Sequence, residues 1–460
     1  MTAPSVVRPD ERKLWLLLTA LAAVLSAVSL LWVGEATSRD TNNWLIWARQ
    51  LSLGHSLDFT GGVPSWKPLP VLFAAPFARV SPELSNIVWL WLVRFCWLGC
   101  SILLAALIRN SYGRFGAAVA AALPLALPAW FAFALMGDSE PVAVALGLGA
   151  VILAMESRIR AATALLIAAG LLRPELWLFI VALNLWQWRR DKRIAITNLL
   201  VAAAILFIGW SLVPAIAGGG WAQAASRAST RLLVGNQADG FLSLLPTRAW
   251  LLVLIGVVGV WLRRDRQLAL FGLACIALPI EVEVMSWFGF SGLDRYVMPG
   301  AIGLCAFAGV GAATLVGLTQ ASWARGLIGI AVLALVGSLI WASVPLDRAN
   351  VKERRAEGAS ARRAVSAFER AGGVDRFTNC MPLATNGSWT VILGRMMGLP
   401  LHDLTNFKTA PAVVLRPTRL KNYKNGPAIE ARGIKPVVVG YAAPDWAVLL
   451  YPGCESDSKR

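Results

Sequence analysis

From Leu14 to Val33 the chain carries no charge. A run of about 20 apolar residues is what a helix needs to cross the roughly 30 Å hydrocarbon core of a bilayer. Comparable runs recur, and spans are expected at about 14–33, 84–108, 116–136, 141–156, 161–172, 175–188, 194–216, 248–262, 267–287, 296–318 and 324–343. Backbone polar groups in hydrocarbon must be satisfied inside the protein, so these runs fold as helices. The fold class that follows is an all-α polytopic membrane protein of about 11 transmembrane helices. Ten and twelve remain open, because the runs between 141 and 188 fall short of about 20 residues each. The first run is followed by no small-residue cleavage site, so it is expected to remain as a span.

Composition agrees: 57% of residues are hydrophobic and 15% charged, against about 25% charged in soluble domains. The net charge of +17 invites a nucleic-acid reading, which the placement of the basic residues removes. They cluster between the runs, at Arg8/Arg12/Lys13, Arg109/Arg114, Arg158/Arg160, Arg189/Arg190/Lys192/Arg193 and Arg263/Arg264/Arg266, with Arg325 alone. Short loops rich in Lys and Arg stay in the cytoplasm. This orientation describes a multi-pass protein of the plasma (inner) membrane, N-terminus cytoplasmic and C-terminus outside, partnered by membrane lipid and not by nucleic acid. The 21 Trp suit anchoring at headgroup level. The six Cys form no CxxC pair, and His55 and His402 lie far apart, which argues against a zinc site.

In this topology residues 1–343 form the transmembrane domain and 34–83 its first outer loop. After Asp40, Trp44, Leu45, Trp47, Ala48 and Leu51 recur at helical spacing, which predicts an amphipathic helix at the interface. Pro68 and Pro70 argue against a span in "SWKPLPVLF", and Lys67 ahead of a short apolar run predicts a second interfacial helix. From 344 to 460 no full span occurs. A helix-like stretch from Val351 to Gly373 precedes short β-branched runs such as "KPVVVG" and "WAVLLY", so a small C-terminal α/β extracytoplasmic domain is expected. Cys380 and Cys454 fall in it, where a disulfide is permitted; Cys96, Cys100, Cys275 and Cys305 fall within spans and are expected to pack.

Ionisable residues at membrane depth are costly and tend to mark sites. On the outer side stand Asp40, Lys67, Asp138, Glu140, Arg173, Glu175, Asp294 and Arg295. Carboxylates accept protons, and Arg and Lys hold phosphates. Moving a group from a lipid phosphate to a hydroxyl needs both. Each residue also has a plainer role. Asp40 suits the cap of a helix beginning near Thr41. "GDSEP" suits a helix start, with Pro141 in the first turn and Glu140 at the positive end of the dipole. Arg295 with Tyr296 suits an interfacial anchor, and Arg173 suits a pair with Glu175. Asp138 and Glu140 offer oxygen ligands to a divalent cation, though two carboxylates alone define no metal site.

Together these segments resemble the GT-C glycosyltransferases, polytopic enzymes that use polyprenyl-phosphate sugars, protein O-mannosyltransferases and lipid A aminoarabinose transferases among them. "DTNNWLIWARQLSLG" is similar to the family helix that follows an early catalytic Asp, with Asp40, Trp44, Ala48 and Gly54 in place. "WKPLP" looks like the family's KPP motif, with Leu69 where the second Pro is usual. "GDSEP" matches the second acidic position, Glu140 better than Asp138. "LRPE" at Arg173 and "RYVMP" from Arg295 to Pro299 look like two further family turns. The resemblance covers about residues 14–320. It implies an inverting hexosyl or pentosyl transfer from a polyprenyl-phosphate sugar donor to a glycan, lipid or protein acceptor of the cell envelope. Asp40 would be the base, with Glu140 and Asp138 as further catalytic acids; Lys67, Arg173, Glu175, Arg295 and Tyr296 would bind substrate. The competing class is a transporter or flippase of anionic lipid-linked substrates, which would use the same charges as a pathway. The absence of matching halves in the hydropathy weighs against it.

Overall fold

The computed structural model describes residues 11–34, 36–57, 59, 66–217, 237–288, 293–377, 380–385, 389–400, 403–405, 413–417, 437–442 and 446–450. Helix α1 (Arg12–Val33) leads into α2 (Arg39–Ser52) and α3 (Pro68–Val80). The long α4 (Pro82–Ala122) starts on a Ser81 cap, whose hydroxyl accepts from Leu84 N at 3.0 Å. It breaks at Gly113, where φ is +78°. The expected span 116–136 is therefore not one rod. It comprises the end of α4, a 3₁₀ turn over Leu123–Ala126 and α5 (Pro128–Met136). Pro124 and Pro128 each remove a backbone donor, which interrupts the helix there.

Helices α6 (Glu140–Met155), α7 (Ile159–Gly170) and α8 (Trp177–Trp188) follow, then α9 (Lys192–Ile216), α10 (Gln237–Leu244), α11 (Thr247–Arg263), α12 (Arg266–Trp287) and α13 (Met298–Gly317). Each expected span up to 318, apart from 116–136, overlaps one of these helices. Among the described residues six helices are long and apolar enough to cross a membrane unaided, seven if α5 and α6, bent by 109°, count as one. Apolar side chains such as Leu31, Trp32, Trp261 and Leu318 are exposed. In water that would be costly; against lipid it is the favoured arrangement.

The last apolar run does not stop at 343. Helix α14 (Ser322–Arg370) carries it through Pro345 without a break, so the expected boundary at 344 falls inside a helix. Beyond it lie α15 (Gly373–Phe377), α16 (Trp389–Met397) and a five-stranded mixed sheet. Strands β1 (Leu383–Ala384), β2 (Leu404–Thr405), β3 (Val413–Pro417), β4 (Val437–Ala442) and β5 (Trp446–Leu450) take the order β2-β1-β3-β5-β4. β1 runs parallel to β2 and β3, while β5 pairs antiparallel with β3 and β4. Phe368 of α14, Leu393 of α16 and Trp446 and Val448 of β5 share one core. Trp446 Nε1 donates to Ser360 Oγ at 2.9 Å, tying sheet to helix. Cys380 is disulfide-bonded; Cys454 lies outside the described residues. The other four Cys are free and buried, as packing residues would be.

Two ends of the bundle differ in what covers them. At one, Arg109 pairs with Glu11 at 2.6 Å and Arg263 donates to Ser111 O at 2.6 Å. At the other, beyond the far end of α1, lie α2 and the C-terminal sheet. The central α13 is buried along most of its length, and α11 packs on it through paired glycines. A Cβ on Gly256 would stand 1.9 Å from Phe307 O, and one on Gly311 the same from Leu252 O. With no hydrophobic drive between helices in lipid, such close approach supplies the attraction. Gly256→Ala should therefore part the two helices and destabilise the detergent-solubilised protein by about 1–3 kcal/mol. Gly99→Ala, with nothing within 4 Å of the new atom, should be neutral or stabilising. Equal melting temperatures for the two variants would contradict the close approach.

Candidate active site

Asp40 stands in the first turn of α2, and the turn is held by a different residue. Ser38 is the N-cap, accepting from Thr41 N at 3.2 Å, and the helix begins at Arg39. The cap role expected for Asp40 thus belongs to Ser38, and the carboxylate of Asp40 is left for other work. Trp44, Leu45, Trp47 and Ala48 are buried, but so are Thr41, Asn42, Asn43 and Ile46, so the first turns of α2 are enclosed on all sides and not amphipathic as expected; Trp44 meets Trp89 of α4 edge to face at 6.5 Å.

The turn between α5 and α6 is sewn to this first turn. Gly137 closes α5 with φ at +71°, a left-handed conformation that favours glycine. Its carbonyl accepts from Thr41 Oγ1 at 2.8 Å and Trp89 Nε1 at 2.7 Å. Ser38 N donates to Met136 O at 2.8 Å, and Ser38 Oγ to Asp138 Oδ1 at 2.7 Å. "GDSEP" is therefore both the helix start expected of it and a wall of the site, since α6 begins at Glu140.

Three cations converge on this wall. Lys67 precedes α3 and donates through Nζ to Ser139 Oγ at 2.5 Å, its ammonium 4.8 Å from the centre of the Trp44 ring. Arg173, extended because Pro174 follows, pairs through Nη2 with Glu140 and reaches Glu175 Oε1 at 3.6 Å. The expected Arg173–Glu175 pair exists, but Glu140 is the nearer partner. Arg295, in a 3₁₀ turn over Asp294–Tyr296, donates through Nη2 to Asp40 Oδ2 at 3.0 Å and comes within 3.9 Å of Glu140. Tyr296 lies under both guanidinium groups, at 4.7 Å from Arg173 and 5.4 Å from Arg295. The side chain of Asp294 lies outside the described residues.

Burial divides these groups. Arg173 and Glu140 side chains are 2% and 1% exposed, while Arg295 and Asp40 are 22% and 20% exposed. The first pair is structure at depth; the second forms an accessible edge. Burial, then the negative charge of Glu140, pushes the Asp138 carboxyl up to about 7. Burial, then the Arg173 cation, lowers Lys67 to about 8. Oε2 of Glu140 and of Glu175 have no hydrogen-bond partner among the described residues. The two carboxylates suited by sequence to a cation are each engaged elsewhere, Glu140 by Arg173 and Asp138 by Ser38. Among the described residues no three or more His, Cys, Asp or Glu gather as metal ligands.

An apolar groove of about 380 Å³ runs beside the site between α6, α8, α12 and α13. Ala143, Leu176 and Pro299 line it, each a few residues from Glu140, Glu175 or Arg295. Sequence reading missed Ser38 and Ser139. Ser38 could have been found as a helix cap ahead of Arg39, and Ser139 stands inside "GDSEP" itself.

Two crystal structures share this fold. ArnT from Cupriavidus metallidurans in the apo state aligns over 95% of this chain and 97% of its own, with 14% identity and a TM-score of 0.59. ArnT from the same organism bound to undecaprenyl phosphate aligns over 97% and 99%, with 13% identity and a TM-score of 0.58. No family model matches the chain, and no curated protein matches it.

Removing one partner of a buried ion pair strands the other. Arg173→Met should cost about 3–5 kcal/mol of stability, and adding Glu140→Gln should recover much of that loss. Chemical denaturation in detergent reads both; a silent Arg173→Met would mean that the pair is not buried as described.

Proposed function

We propose that this chain is an integral membrane glycosyltransferase that moves a sugar from a polyprenyl-phosphate donor to an envelope acceptor, with inversion and with Asp40 as general base. The observation that carries the reading is the Asp40–Arg295 contact at 3.0 Å. It sets a proton acceptor beside a phosphate-binding group at the accessible edge of a buried cationic cluster. The bound undecaprenyl phosphate of the second ArnT structure supports a donor of that kind, and the groove offers its chain an apolar wall.

In the proposed step the acceptor hydroxyl oxygen attacks the anomeric carbon. The bond from that carbon to the phosphate oxygen breaks, and polyprenyl phosphate leaves. Asp40 takes the hydroxyl proton, a role decided by geometry first. Arg295 and Lys67 meet the charge that grows on the departing phosphate, and preorganised charge of this kind stabilises the transition state. Arg295 leaves Asp40 for the phosphate as donor binds, which frees the carboxylate for the acceptor. In this reading Glu140 keeps Arg173 and Arg295 in place and Asp138 holds the Ser38 cap, and their greater burial favours Asp40 over both as the base. Glu175 and Tyr296 position the arginines.

The orientation proposed is with the Arg109/Arg263 end in the cytoplasm, as basic clusters favour, and the site and C-terminal sheet outside. An impermeant label should reach a C-terminal tag in intact cells; a tag reached only after lysis would reverse the orientation.

Asp40→Asn keeps the shape and, since Ser38 is the cap, costs the helix nothing through capping. It should leave donor binding nearly intact and slow transfer from polyprenyl-phosphate sugars by about 10²–10⁴-fold. A stable Asp40→Asn protein that transfers at the normal rate excludes Asp40 as the base. Lys67 is an ammonium below its lowered value of about 8 and neutral above it. Donor affinity should therefore fall as pH rises through about 8, with the midpoint moved upward by the bound phosphate, and Lys67→Met should lose this step. An affinity flat across that interval in the unmodified protein would remove Lys67 from phosphate binding.

A further inference from the structure

The C-terminal unit touches the helix of the base at one telling place. Arg395, on α16, is 5% exposed, and its Nε donates to Asn42 Oδ1 at 2.5 Å across a separation of 353 residues. Asn42 is fully buried, two residues beyond Asp40. Its Nδ2 donates to Thr37 O at 3.1 Å and Ser38 O at 2.8 Å. The amide of Asn42 is thereby used at both ends. With Oδ1 turned to Arg395, Nδ2 must face the carbonyls before the helix; a flipped amide would set donor against donor.

The same turn carries Ser38, whose hydroxyl caps α2 and holds Asp138. A continuous chain of hydrogen bonds thus runs from α16 through Asn42 to the backbone on the N-terminal side of Asp40. A cleft of about 280 Å³ opens beside this bond between the two helices, lined by Leu45, Arg49, Gln50, Gly394, Arg395 and Leu399 among others. The tie at Asn42 joins α16 to the Asp40 end of α2. First turns of helices fray unless their groups are satisfied, and a base misplaced by about 1 Å can lose 10²-fold in rate.

We infer that Arg395 is a positioning residue for Asp40, so that the C-terminal unit is a working part of the site and not an appendage. The inference rests on the proposed role of Asp40. The test uses full-length protein and compares single-turnover transfer, donor Kd and amide exchange over residues 37–45. Arg395→Ala should slow transfer by about 10- to 100-fold, leave donor Kd within about twofold and speed exchange in the first turn of α2. Arg395→Lys keeps the buried cation but moves its donor, so it should fall between; it also serves if the alanine variant does not fold. Asn42→Ala should slow transfer similarly, and the double variant should be no slower than the slower single, since both break one chain of bonds.

Wild-type rates in the Arg395 variants, or losses that add in the double variant, overturn the inference. A fall in donor affinity and melting temperature that accounts for the whole rate loss overturns it too, because it marks general loosening. The two readings separate on one comparison. If Asp40→Asn transfers normally, the base assignment has failed and this inference falls with it. If Asp40→Asn is slow while Arg395→Ala is normal, the base stands and the positioning role alone has failed.

Discussion

Glu140 sets the terms for the rest of the site. A carboxylate 1% exposed at the head of a bundle helix costs several kcal/mol in lost hydration unless cations surround it. Arg173 comes from the α7–α8 turn to meet it and Arg295 from the turn before α13, while Lys67 is bonded to the adjacent Ser139. Four segments remote in sequence are drawn to one point because each carries a charge that would be costly elsewhere at this depth. Arginine suits the arrangement better than lysine would: its fork serves Glu140 and Glu175 at once while its face rests on Tyr296.

From that buried pair the site grades outward. Arg295 spans the two regimes, reaching inward toward Glu140 and outward to Asp40, where exposure is tenfold higher or more. Glu140 is buried and closely paired, whereas Asp40 stands at an accessible edge against a single cation. The apolar groove beside the cluster sets apolar surface next to positive charge.

Much of this was legible in the chain. Leu14–Val33 and its successors named the helices because hydrocarbon leaves the backbone no alternative, and Trp44, Ala48 and their neighbours named α2 as a helix by their period, though not that Asn42 and Asn43 would be buried with them. The sets Asp40/Lys67, Asp138/Glu140, Arg173/Glu175 and Arg295/Tyr296 fell on one side by topology, and they do meet. What failed was local. The sequence suits Asp40 to the cap, but Ser38 takes that place because its hydroxyl, one turn from Thr41 N, reaches it directly. The run 116–136 was read as one span, and two prolines divide it. The change of composition at 344 is a separate matter: helical hydrogen bonding runs through it to Arg370.

The sequence by itself determined the helices and the set of charges, because these follow from hydrophobicity, period and turn chemistry within a few residues. Only the tertiary structure decided which charge faces which. Whether Arg173 prefers Glu175, two residues away, or Glu140, which it meets across a helix pair, depends on distances that no spacing encodes. The contact of Arg395 with Asn42 is of the same kind: it exists because a helix near the end of the chain returns to the first turn of α2. The geometry and the burial that make such a bond matter arise only when the chain has closed on itself.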